Sequence, residues 1–391
     1  MPWKEVKPMD EKLLFIADYL RDYETITALC QRYGISRKTG HKWIERYRHD
    51  GMNGLSEQSR TPKHSPQLTP YPLQQAILEL RTRRRITPGP KKLQCLLAQR
   101  FPNALIPSKT TIYNILHRAG LISPQSRRRR VPPSPRPFDP VRDPNTVWTT
   151  DFKGQFKLIR GGWCYPLTVM DHHSRYLLAC RGLTGTGTGD TRRVFIRLFK
   201  EYGLPQRIRS DNGVPFATTA TAGLSRLAIW WIRLGILPER ITPGRPQENG
   251  RHERMHRTLK AAATRPPAAT LTAQQRRFDL FRDEYNQQRP HEALQQQTPA
   301  TWYSPSLRCY PDKLPPLVYP DYYAIRRVQP TGVVYWRGGQ LYVSHLLHNE
   351  QVGLSEIADG VFEVFFGLLR LGQFDMRHFH QGSVRYWSLH V

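Results

Sequence analysis

Three acidic residues near the middle of this 391-residue chain stand where a carboxylate needs a reason. Asp151 lies inside a strand-like segment, Thr149-Thr150-Asp151-Phe152-Lys153. An acid in mid-strand is unfavourable unless it meets a partner or a metal. Asp211 ends a second strand-like run, in Ser210-Asp211-Asn212-Gly213, where the glycine lets the chain leave sharply. Glu253 falls on a helix expected over 246–263, opened by Pro246 in its first turn. Hard divalent cations take oxygen ligands and keep several waters, so a few carboxylates suffice to hold them. Two such ions about 4 Å apart can clamp an in-line phosphoryl displacement without a covalent protein intermediate. The expectation is a catalytic and metal-binding set of Asp151, Asp211 and Glu253 around two magnesium ions, with manganese as a substitute.

Glu248 competes with Glu253 for the third place. At about 100° per residue the two point roughly 140° apart on one continuous helix and cannot both face one site. Glu248 lies near the apolar stripe Met255–Leu259, in a first turn where the helix dipole alone explains a carboxylate. Glu253 lies in line with Asn249, His256, Arg257 and Lys260, groups able to touch DNA. That geometry favours Glu253. Asp171, in Asp171-His172-His173-Ser174, reads as the cap of a hairpin turn.

A cluster of acids is repulsive to a polyanion, and the rest of the chain offsets it. Lysine and arginine number 59 against 31 acidic residues, a net charge of +28 spread along the whole length. Such a surface attracts nucleic acid. Residues 1–55 carry a helix, a glycine turn at Gly34 and a second helix that Ser36 can cap, exposing Arg37, Lys38 and His41. The pattern recurs over 70–121, where Ser108 opens a helix presenting Lys109, Thr110 and Asn114, closed by Gly120. Two helix-turn-helix patterns in one basic chain point to sequence readout in the major groove. Between 122 and 144 a proline-rich linker carries Arg127, Arg128, Arg129 and Arg130, placed for phosphate contacts.

The elements that must position the acids follow from periodicity. Three antiparallel strands are expected first, over 147–158, 163–171 and 175–183. Helices over 188–203 and 223–234 then alternate with short strands. That is the order of an RNase H-like fold, over residues 145–305. Residues 318–391 read as four or five short strands, a small SH3-like β-barrel serving as a DNA-binding or interaction domain. The fold class is therefore multidomain α+β: all-α helix-turn-helix domains, a central α/β core and a C-terminal barrel. The 5 cysteines are scattered, with no local zinc motif. No apolar run approaches the roughly 20 residues of a membrane span, and the first residues lack a signal-peptide core. A soluble, cytoplasmic protein is expected.

The segments WTTDF, SDNGVPF, PGRPQENGRHERMHRTLK and YNQQRPHEALQQQTPATWY, in that order, resemble the DDE-type insertion-sequence transposases with a retroviral-integrase-like core. The resemblance is strong over roughly 145–305 and extends to the two N-terminal helix-turn-helix patterns and their arginine-rich linker. It implies an RNase H-like fold, two magnesium ions, and breakage and joining of element ends. The family's aspartates fall on Asp151 and Asp211, its glutamate on Glu253, and its DNA-contacting lysine on Lys260. One departure concerns spacing. Residues 212–252, 41 in all, separate Asp211 from Glu253, more than is usual in the family, and keep Glu248 as a formal rival.

What this implies is a bacterial, nucleoid-associated enzyme. It would bind the terminal inverted repeats of its element, expose a 3′-hydroxyl and join it to target DNA as a homo-oligomer. A catalytically inactive DNA-binding regulator and an RNase H-like nuclease are the alternatives. The intact acids weigh against the first, the two helix-turn-helix patterns against the second. Arg37→Ala is expected to reduce the preference for end DNA over random DNA by about 1–3 kcal/mol. Arg128→Ala should weaken both alike and flatten the salt dependence. Competition binding at several salt concentrations distinguishes the two.

Overall fold

The computed structural model describes residues 8–57, 68–122, 138–378 and 385–390. Arg127, Arg128, Arg129 and Arg130 lie outside the described residues. The chain divides into two compact units, Met1–Leu68 and Thr69–Val391.

The first unit is three helices, α1 (Pro8–Leu20), α2 (Ile26–Arg32) and α3 (Arg37–Asp50), closed by a 3-10 turn at Gly51–Leu55. Phe15, Ile16, Leu29, Cys30, Trp43, Ile44 and Leu55 form its core. Gly34 takes a left-handed φ of 64° between α2 and α3, a conformation that suits glycine. Ser36 then caps α3, its hydroxyl accepting the Thr39 N–H at 3.2 Å. Arg37, Lys38 and His41 are exposed on α3, as expected of a reading helix.

The second unit opens on another trio, α4 (Tyr71–Thr82), α5 (Pro90–Arg100) and α6 (Lys109–Arg118), around Ala76, Ile77, Leu93, Leu97, Ile112 and Leu116. Ser108 caps α6 as Ser36 caps α3, and Lys109, Thr110 and Asn114 are exposed.

The central sheet follows. The stretch expected as one first strand is two, β1 (Val147–Phe152) and the short β2 (Phe156–Lys157), parted around Gly154. Then come β3 (Trp163–Asp171), β4 (Leu177–Leu183), α7 (Thr188–Tyr202), β5 (Arg207–Ser210), α8 (Arg226–Arg233) and β6 (Leu237–Arg240). β3 lies between β4 and β1, antiparallel to both, while β5 and β6 continue beyond β1 in parallel. This is the strand order of the RNase H-like fold. Alternation sorts the faces. Trp148, Leu167, Val169 and Ile208 pack on α7 and α8, with Phe195, Phe199 and Trp231. Met170 and Cys180 face the other way.

That second face is covered by a helix which departs from expectation. The single helix expected over 246–263 is a 3-10 turn at Pro246–Asn249, then α9 (Gly250–Leu259), then a π turn at Lys260–Thr264. In the first turn the Glu248 carboxylate accepts the Thr242 N–H at 2.8 Å, tying it to the preceding loop. α10 (Leu271–Asp283), not anticipated from the sequence, a second π turn at Glu284–Gln288, and α11 (Pro299–Trp302) complete the layer. Met255, Leu259, Phe278 and Phe281 bury against Met170 and Cys180.

The C-terminal strands, β7 (Ala324–Arg327), β8 (Val333–Trp336), β9 (Gly339–Tyr342), β10 (Gln351–Ala358), β11 (Val361–Phe366), β12 (Leu369–Asp375) and β13 (Arg385–Trp387), do not close into a barrel among the described residues. They form a four-stranded sheet, β12-β11-β10-β7, and a three-stranded sheet, β13-β9-β8, over one shared apolar core. α8 adds Ala228, Ile229 and Ile232 to that core, and Arg233 grips both oxygens of Glu350 at 3.0 and 2.8 Å.

Close helix approach in the first unit depends on Gly40. A Cβ there would stand 2.4 Å from Cys30 Sγ and 3.2 Å from Phe15 Cζ. Overpacking of this kind costs about 1–3 kcal/mol, more than the ~1 kcal/mol that alanine gains over glycine within a helix. Gly40→Ala is therefore expected to weaken amide hydrogen-exchange protection in α2 and α3 while leaving the central sheet unchanged.

Candidate active site

Strand register brings the two aspartates together. β1 and β5 run parallel with Thr149 opposite Arg209. Two residues further along each chain, Asp151 and Asp211 fall opposite one another on the same face, across strands about 4.8 Å apart. Asp211 lies just past the end of β5, and its carboxylate accepts the Gly213 N–H at 3.1 Å, which fixes the turn.

The glutamate arrives on α9, and a buried polar knot holds that helix to the sheet. His252 Nδ1 is 2.8 Å from the Thr149 hydroxyl, and His252 Nε2 is 2.7 Å from the Thr168 hydroxyl. His256 Nε2 meets the same Thr168 oxygen at 2.7 Å. Thr168 is the antiparallel partner of Asp151 and donates its single hydroxyl proton to the Asp151 carbonyl at 2.9 Å. With that proton committed, both histidines donate through Nε2–H, and the Thr149 hydroxyl gives its proton to His252 Nδ1 at 2.8 Å in preference to the Met170 carbonyl at 3.2 Å. His256 then turns an unprotonated Nδ1 toward Asp151 Oδ2, 3.5 Å away, too far for a hydrogen bond. Both rings stay neutral: burial pulls the His252 pKa down to about 3 and, together with its neighbours His252 and Lys153, that of His256 to about 2.

Electrostatics mark the same spot. Burial, then the negative charge of Asp211, pushes the Asp151 carboxyl up to about 7, with Glu253 adding to the rise and Lys153 opposing it. Asp211 and Glu253 thus both lie within electrostatic reach of Asp151. Glu248 instead engages Thr242 and faces Arg209. Among the described residues no three His, Cys, Asp or Glu side chains are already closed around a point that would seat a metal ion. The donor set nevertheless fits a hard divalent cation. It is all oxygen, its charges repel without one, and Glu253 is exposed enough to reorient.

The groups expected beside Glu253 divide. Arg257 and Lys260 are exposed on the outer side of the helix. Asn249 and His256 are buried instead: Asn249 ends the 3-10 turn, outside the α-helix, and His256 joins His252, Met255 and Leu259 on the sheet-facing side of α9, which is wider than its apolar residues alone suggest. His252, Thr149 and Thr168 were not anticipated; their signal is a histidine pair at i, i+4 facing threonines on two paired strands. Asp171 caps the β3–β4 turn, accepting the Ser174 N–H and hydroxyl at 2.8 and 2.6 Å. Asn286 pairs with both backbone groups of Leu177, a structural role.

Against this geometry stand the relatives. A family model described as an integrase core domain matches residues 141–246, and another of the same description matches 234–299. The central domain is an integrase core. A helix-turn-helix domain model matches residues 11–63 and a homeodomain-like domain model 39–116. The chain is 30% identical over 179 residues, 45% of its length, to the Gag-Pol polyprotein of Baboon endogenous virus (strain M7). It is 32% identical over 122 residues, 31% of its length, to the Pol polyprotein of Feline endogenous virus ECE1. It spans only 10% and 11% of those polyproteins. Similar solved structures include the HTLV-2 integrase catalytic core domain in complex with magnesium, at 16% identity, TM-score 0.34, and 43% and 100% coverage of this chain and that one. A simian T-cell lymphotropic virus intasome is similar at 17% identity and TM-score 0.37, with 72% and 97% covered. No helix of the described residues is long and apolar enough to cross a membrane.

The raised Asp151 pKa sets a sign for stability. A carboxyl easier to ionise in the unfolded chain favours folding while protonated, so that contribution is full below about pH 4 and lost as pH rises toward 7. Without divalent metal, Asp151→Asn is expected to be more stable than wild type at pH 8, by about 1–3 kcal/mol, and to match it near pH 4. Urea melts in EDTA at the two pH values measure the difference; equal stability at pH 8 would contradict the strained carboxylate.

Proposed function

We propose that the chain is a DNA transposase that binds the terminal inverted repeats of its element, cleaves the strand at the end and transfers it to target DNA. The observation that carries this reading is the coupling of Asp211 and Glu253 to a buried, strained Asp151 on an integrase core. Asp151, Asp211 and Glu253 would hold two magnesium ions, or manganese, which when bound supply Lewis-acid stabilisation of the phosphoryl oxygens.

Cleavage adds water to a phosphodiester. The water oxygen bonds to phosphorus, the bond to the 3′-oxygen breaks, and a 3′-hydroxyl and a 5′-phosphate result. Transfer then bonds that 3′-oxygen to a target phosphorus while the target's own 3′-oxygen leaves and takes up a proton. The protein's part is positional. His252 and His256 hold α9 to the sheet, so that Glu253 stays beside Asp151. Exposed Arg257 and Lys260 on the same helix bind the strand's phosphates. Arg37, Lys38 and His41 on α3, and Lys109, Thr110 and Asn114 on α6, read the repeat. Arg127, Arg128, Arg129 and Arg130 add phosphate contacts. Joining two ends requires more than one copy on the DNA. The C-terminal strands, where Arg326 and Arg337 flank Trp336, suit a further DNA contact.

Strand transfer of labelled end DNA into a plasmid with magnesium is the test. Asp211→Asn and Glu253→Gln are expected to lose more than the 10–100-fold typical of outer-shell partners, while retaining DNA binding. Glu248→Gln, which keeps an oxygen able to accept the Thr242 N–H and gives up the charge facing Arg209, should keep most activity. Wild-type levels in Asp211→Asn and Glu253→Gln would remove the proposal.

A further inference from the structure

Away from the three acids, α5, the β3–β4 turn, α9 and the loop after the second π turn bring five basic groups together, more than the neighbouring Glu284 and Glu292 can balance. Lys92, the third residue of α5, faces Arg289, Arg175 and Arg254. His291 faces Lys92, Arg289 and Arg175, and its buried ring packs on Tyr285 at 4.9 Å. Lys92, Arg175 and Arg289 are half-buried, and Arg254 lies exposed at the mouth, one residue beyond Glu253.

Two nearby acids, Glu284 acting on Arg289 and Glu292 acting on Lys92, offset this charge only in part. Glu292 is paired with Lys91, and Glu284 accepts the Ile86 N–H at 3.1 Å. Among the described residues Lys92, Arg175, Arg254 and Arg289 form no ion pair. Two polar atoms at the centre, Arg175 Nε and His291 Nε2, are buried with no hydrogen-bond partner. Buried polar atoms without partners are destabilising, and packed like charges add to that cost. Burial and the three arginines bring the Lys92 ammonium down to about 7, the expected response to an unmet positive field. Arginine forks match phosphate oxygens in geometry, and a neutral imidazole at His291 can add a donor without adding charge.

We propose that Lys92, Arg175, Arg254, Arg289 and His291 form a phosphate-binding cleft between the second helical trio and the core, and that it grips one backbone phosphodiester of the DNA strand running past Glu253. This rests on the reading of the chain as acting on DNA. The cleft couples the two parts of the second unit to a bound strand, so a DNA end held by α6 is held in register with the acids.

The full chain tests it. Binding of end DNA is measured across a salt series for wild type, Arg289→Gln and Lys92→Met. Melting is followed with inorganic phosphate replacing chloride at constant ionic strength. Loss of one phosphate contact is expected to make the slope of log K on log salt about 0.9 shallower in either variant, with several-fold weaker binding at low salt. Wild type should melt higher in phosphate, and Arg289→Gln should lose that rise. Lys92→Met should melt higher than wild type without DNA while binding DNA less well, a pairing that a merely structural lysine would not give. An unchanged slope in both variants overturns the cleft, even if phosphate raises the melting temperature, since the site would then take free phosphate only. Absence of DNA binding by wild type would instead strike at the proposed function.

Discussion

The hydroxyl of Thr168 holds α9 to the central sheet, and the candidate site depends on it. One proton goes to the Asp151 carbonyl and two lone pairs receive His252 and His256. Every hydrogen-bonding capacity of that oxygen is used, inside a region from which water is excluded. Leaving any one of these groups unpaired would cost far more than the bond itself is worth, so the arrangement is stiff. It also ties the third acid to the first. Glu253 sits beside His252 and three residues before His256, so the ligand from the helix cannot drift without breaking the knot. Neutral histidines suit the task, because a charged imidazole this deep would need a counter-ion and would compete for the Asp151 carboxylate.

A second constraint opposes the first. The knot, the β1–β5 register and the burial of Asp151 together hold like charges close in a chain whose net charge is +28. Stability is given up at that point, as is common where a site is built to receive a ligand of opposite sign. The basic cleft around Lys92 is the mirror case: positive groups crowded with unmet donors, near the helix that bears the acids. One place suits cations and the other a polyanion. The mean charge of the surface reveals neither; only the local arrangement does.

Much of this was legible in the sequence. A mid-strand aspartate and a strand-ending aspartate stand out because both violate local preference, and the strand order follows from alternation. The partner of each acid was less legible. The helix wheel took 246–263 as one α-helix, whereas Pro246 and Gly250 bound a 3-10 turn and a π turn ends the helix. The break accounts for Asn249, whereas His256 shares the regular helix with Glu253 and is buried because the sheet-facing side of α9 takes in two histidines beside Met255 and Leu259. His252 escaped notice because a histidine on an apolar helix face looks like filling until the threonines opposite it are known. Arg175, Arg289 and Lys92 come from segments up to about two hundred residues apart, and periodicity carries no information at that range. Four or five C-terminal strands in a barrel were expected where seven form two sheets, a partition that depends on pairing that turn residues do not specify.

The claim on which the rest turns is that the sheet and α9 together present Asp151, Asp211 and Glu253 to divalent metal. A crystal grown or soaked in manganese, with data collected at the manganese absorption edge, reads this directly. The account predicts anomalous density against the Asp151 carboxylate, shared with Asp211 on one side and with a reoriented Glu253 on the other, while Glu248 stays on Thr242. Manganese held by Glu248, or absent from Asp151 at saturating concentration, would contradict it.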